Sequence, residues 1–171
     1  MEYVLIRSRR RSVGIRVAAD GSVVVRAPLY LSRNCIDDLV EKHGSWIEKQ
    51  RERCRIHAEL YPEPTAVERE ALIRRAKTVI PPLVEKYAIH MGVQPTGLSI
   101  TSARTRFGSC SGKNRLSFSW RLMRYPLETI EAVVVHELCH IVHKNHQKDF
   151  YILLRSVLPD YDKRTEILKI K

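Results

Sequence analysis

With 171 residues, the chain is long enough to bury a sizeable core and short enough for one domain. Its 44% hydrophobic content is ordinary for a globular protein, and no apolar run approaches the length of a membrane span. A net charge of +11 raises the odds of an anionic partner, nucleic acid or nucleotide among them, but a solvated basic surface accounts for it equally well.

Cys35, Cys54, Cys110 and Cys139 show no C-x-x-C spacing, which argues against a disulfide framework or a structural zinc site. The first residues hold no apolar core suited to a signal peptide, so a reducing, cytoplasmic setting is expected.

In chain order, residues 3–7 predict a strand, and 13–17 and 23–26 predict a hairpin turned at Asp20-Gly21. Arg7, Arg9, Arg10 and Arg11 either grip phosphates or form a charged edge that discourages strand pairing. Ser32 is a natural N-cap for a long helix running to about Arg55, with His43 expected as a packed residue on its apolar stripe. Tyr61-Pro62-Glu63-Pro64-Thr65 breaks the chain, and a second long helix over 66–91 is expected to bend or stop at Pro81-Pro82. Strands follow at 98–101 and 116–120. Between them, a loop from Arg104 to Gly112 can present backbone groups to a ligand. Pro126 opens another helix, and Gln147–Leu158 and 161–170 complete the helical tail.

The Pro126 helix carries His136-Glu137-Leu138-Cys139-His140 within an apolar run. Seven His and 13 Glu would yield roughly 0.02 such H-E-x-x-H motifs by chance. Residues four apart share a helix face, so His136 and His140 can offer two imidazoles to one metal, with Glu137 placed to reach a water on it. The structural alternative is a helix with two satisfied surface histidines, but buried histidines need a partner, and a metal supplies one. His143 stays on the same face but lies about 10.5 Å along the helix from His136, too far for a compact tetrahedron. His146 is the favoured third ligand if the chain reverses, a reversal that Asn145 would permit by adopting the left-handed conformation. His143 is then left as a group contacting substrate or supporting the ligands. A distant Glu or Asp as third ligand is the other option. Cys139 within the motif is either a thiol near the metal or a small buried apolar side chain, the second being the commoner role.

These stretches together resemble the YgjP-like zinc metallopeptidases. The resemblance spans nearly the whole chain: the opening hairpin, Trp46-Ile47, Phe107-Gly108-Ser109-Cys110-Ser111 (with Phe where Trp is usual), Trp120-Arg121-Leu122, the metal motif, Asn145-His146 followed by Phe150, and Pro159-Asp160-Tyr161. It implies zinc at His136, His140 and His146, Glu137 as the catalytic residue, and kinship with SprT-like and other zincin proteases. The implied fold is α+β: a zincin-like core of active-site helix and small antiparallel sheet, with an N-terminal sheet and long helices. One domain over 1–171 is expected, divided into a sheet-helix part at 1–60 and a catalytic part at 65–171.

The expected function is zinc-dependent hydrolysis of a polypeptide, with Ser109, Phe118, His143 and Arg106 as substrate contacts. Two alternatives stand beside it: nucleotide pyrophosphatase activity, and a nucleic-acid-associated module whose metal is structural.

Overall fold

The computed structural model describes residues 1–170, and the α+β expectation is borne out. The chain divides into two compact units, Met1–Glu63 and Pro64–Lys169. No helix among the described residues is long and apolar enough to cross a membrane.

The first unit holds strands β1 (Val4–Ser8), β2 (Gly14–Val17) and β3 (Val23–Pro28) in the order β1-β3-β2. β2 and β3 form the expected hairpin, and Gly21 (φ 81°) supplies its left-handed turn position. β1 runs parallel to β3 on the other side. Val23, Val25 and Ala27 point to one face of β3 and pack with Ile36, Val40 and Ile47. Arg7 is tied down, donating to the carbonyls of Pro28, Leu29 and Leu31 at 2.6–3.2 Å.

The single long helix expected here is in fact two, α1 (Arg33–Lys42) and α2 (Gly44–Leu60). Ser32 caps α1 by accepting from the Cys35 N–H. His43 is exposed at the junction, its Nδ1 2.7 Å from the Leu39 carbonyl, so it closes a helix end instead of packing in the core.

The second unit opens with α3 (Ala66–Met91), started by a capping box between Thr65 and Glu68 and ended by Gly92 (φ 62°). The helix continues through Pro81 and Pro82. Both prolines are exposed, as are Lys77 and Thr78, whose carbonyls lose their partners, so water can serve them. A second sheet follows: β4 (Gly97–Thr101), β5 (Gly108–Cys110) and β6 (Arg115–Ser119), ordered β4-β6-β5. β5 is antiparallel to β6, as expected of a small antiparallel sheet; β4 is parallel to it. α4 (Leu127–Val142) lies against α3, β5 and α5 (Lys148–Val157), and the short α6 (Tyr161–Arg164) also touches it. Ile130, Ala132, Val134, Val135, Leu138 and Cys139 of α4 are completely buried with Phe118, Trp120, Phe150 and Leu154. The motif helix therefore lies inside its unit, which fixes its side chains before any ligand binds.

Candidate metal centre

The apolar faces of α4 leave few directions for its polar residues. His136 and His140 emerge on one side, a turn apart, with ring centroids 5.0 Å apart. α4 ends at Val142 because His143 is extended (φ −119°, ψ 106°) and turns the chain. Asn145 is not left-handed as expected; among the described residues only Asn114 is a non-glycine with positive φ. The reversal brings His146 back, its Nε2 3.1 Å from the Nε2 atoms of both His136 and His140. Phe150 of α5, fully buried, forms the floor, its ring 4.6–5.0 Å from all three imidazoles.

This donor set suits a tetrahedral zinc ion. Zn–N bonds of about 2.0–2.1 Å separate neighbouring ligand nitrogens by somewhat over 3 Å. The outer nitrogens are occupied: His136 Nδ1 lies 2.9 Å from the Tyr161 hydroxyl and His140 Nδ1 lies 3.0 Å from the His143 carbonyl. A carbonyl only accepts, so His140 carries its proton on Nδ1 and leaves the Nε2 lone pair free. Burial, then the neighbouring His140 and His146, lowers His136 to about 4, so it is neutral and ready to ligate at pH 7. Three lone pairs converging this closely call for a cation, and zinc would be held by His136, His140 and His146.

Glu137, 6% exposed, lines one cavity with His136. Its neighbour is Gly108 of β5, where a Cβ would come within 2.6 Å of Glu137 Oε1. Only glycine leaves room for the carboxylate. Burial lifts this carboxyl to about 7, partly offset by the Arg106 guanidinium. A cation nearby draws it back toward the ionised form that accepts protons. Cys139 is buried and its thiol is pushed up to about 12, which makes it an inert core side chain.

The remaining expected contacts separate. Arg106 is exposed and acts on Glu137 through its charge. Ser109 sits in β5, one residue from Gly108, so its side chain takes the opposite sheet face. His143 contributes its backbone carbonyl to His140. Phe118 is corrected: it is 0% exposed in the central strand, and its alternating pattern marks the face turned to the core.

The residues not anticipated are Gly108, Phe150 and Tyr161. Tyr161 is placed by a chain of contacts from α4 to α6. Arg164 pairs with Glu131 at 2.9 Å, and Thr129 Oγ1 donates to the Arg164 carbonyl at 2.8 Å. Tyr161→Phe keeps the ring and removes the oxygen on His136. It is expected to weaken zinc binding about 10- to 100-fold, as competition with a chromophoric chelator would show.

Among the shifted groups of the centre, Glu137 and His136 pull stability in opposite directions in chelated protein. Between pH 4.5 and 7, folded Glu137 keeps a proton that the unfolded chain releases, so raising the pH costs stability. Between pH 6.5 and 4, the unfolded chain protonates His136 while the folded form does not, so lowering the pH costs stability. Over the shared window, pH 4.5–6.5, the two slopes cancel. Glu137→Gln removes one of them. The stability of that variant relative to the parent should therefore rise by about 1 kcal/mol per pH unit across the window, measured by urea unfolding in chelator.

An α+β chain with three convergent imidazoles, and a buried glutamate sharing a cavity with one of them, has the donor set of a metallohydrolase centre. The chain belongs to the YgjP-like family: its model, described as YgjP-like, metallopeptidase domain, matches residues 11–72 and 63–171. The sequence resemblance is thus borne out, and membership implies a divalent metal. Among solved structures, the chain is similar to the metallopeptidase zymogen of Pyrococcus abyssi abylysin. The two are 20% identical with a TM-score of 0.46, over 52% of this chain and 87% of that one. None of the curated proteins matches.

Proposed function

We propose that the chain is a zinc-dependent peptidase that uses Glu137 as general base, with His136, His140 and His146 holding the ion. The observation that carries the reading is the position of Glu137: a carboxylate sealed against Gly108 that lines one cavity with His136, whose Nε2 lies with His140 and His146 in the converging set. When bound, zinc acidifies water and polarises the substrate carbonyl. Glu137 takes the proton of the attacking water, holds it in a site with little competing solvent, and delivers it to the leaving amine. Gly108 keeps the carboxylate in place, and Tyr161 and the His143 carbonyl hold the first two rings. β5 ends the sheet on the side of Glu137, so its outer edge is the place for an extended peptide to add as a strand. β6 has neighbours on both sides and no free edge.

The test compares an unfolded protein substrate with nucleoside triphosphates, each with chelator and with zinc restored. Proteolysis that chelator stops and zinc restores is expected. Metal-dependent release of phosphate or pyrophosphate without any proteolysis would replace this reading with the pyrophosphatase one.

A further inference from the structure

We infer that the cavity beside His136 and Glu137 is a subsite for a large apolar side chain, aromatic above all, on the peptide residue next to the scissile bond. The inference rests on the peptidase reading and adds the substrate class. The cavity holds about 400 Å³ and runs from His136 and Glu137 past Gly108 to walls formed by Phe107, Val133, Tyr151 and Leu168.

Three polar groups in its wall are already engaged. The Tyr161 hydroxyl lies on His136, the Asp162 carboxylate accepts from Arg155 at 3.1 and 3.3 Å, and Thr165 Oγ1 donates to the Tyr161 carbonyl at 3.0 Å. Apart from Glu137, which serves the reaction, what the wall mainly offers a guest is ring surface and methyl groups. An acidic side chain would face the carboxylates of Glu137 and Asp162, and a basic one would tie up the carboxylate that the reaction needs. A small one would leave most of the space unfilled. The volume lies near the lower end of pockets for small organic groups, roughly 300–1,000 Å³, and ring edges and faces reward an aromatic guest beyond its area. A peptide strand along the outer edge of β5 alternates its side chains between the sheet faces, so one of them enters on the Gly108 side.

Two measurements on zinc-loaded protein test this. Cut sites in a mixed peptide library should carry Phe, Tyr, Leu or Met at one flanking position, favoured about 100-fold over Ala, Asp or Lys. In the Glu137→Gln protein, calorimetry should show tighter binding of a blocked Gly/Ala hexapeptide carrying one Phe than of its all-Gly/Ala counterpart. Leu168→Phe fills the cavity and should move both preferences toward small residues; circular dichroism and zinc content check that this variant is folded and loaded. Cleavage with no side-chain preference, or preferences that ignore Leu168→Phe, would overturn the subsite and leave the peptidase reading standing. No cleavage with equal binding of the two hexapeptides would overturn both. No cleavage, but Phe-selective binding that Leu168→Phe abolishes, would keep the subsite and remove the peptidase reading.

Discussion

Glu137→Gln is expected to lower kcat by about 10²- to 10⁴-fold while leaving zinc content near that of the parent. Gln has almost the shape of Glu, so the amide fits the space Gly108 leaves, and the three imidazoles are untouched. What disappears is a group able to accept a proton. The check is elemental analysis of the dialysed variant beside a peptide-cleavage assay. Full activity in a zinc-loaded variant would end the general-base role for this residue. Loss of zinc together with activity would mean that Glu137 is a ligand.

His146→Ala acts on the other half of the centre. Removing a partner that merely orients a ligand weakens metal binding by about 10- to 100-fold, so removing a ligand should exceed the upper figure. The His146 ring is exposed and its Nε2 is the atom that lies 3.1 Å from both helical imidazoles. Because so little of this ring is buried, the variant should fold normally and lose metal during dialysis. His143→Ala is the control: its part in the centre is a backbone carbonyl, which alanine retains, so zinc should stay. If His146→Ala holds zinc as tightly as the parent, the third ligand lies elsewhere.

How much of this was legible depended on the range over which the information acts. His136, Glu137 and His140 follow from the helical period alone. His146 followed from the reach of a zinc bond, although the turn that delivers it is the extended His143 and not a left-handed Asn145. Features made by packing across the chain were hidden. Gly108-Ser109-Cys110 is too short to show alternation and read as loop, yet as β5 it sets Gly108 against the Glu137 carboxylate. Tyr161 was visible within a shared Pro-Asp-Tyr stretch, but nothing in its spacing links it to His136, 25 positions away. Phe118 shows the opposite failure: its alternation is real, but a period of two cannot say which face meets the core. Local chemistry also decided the break at His43 and the unbroken course of α3 through Pro81-Pro82, where a solvent-facing backbone relieves what proline removes.

The contact between Tyr161 and His136 also has a bearing on timing. Translation at about 5–20 residues per second adds Tyr161 roughly one to five seconds after His136. Until α6 docks through Arg164 and Thr129, the first imidazole lacks its hydroxyl partner. A nascent chain on the ribosome thus carries its complete motif before the hydroxyl that holds the first ring has been added.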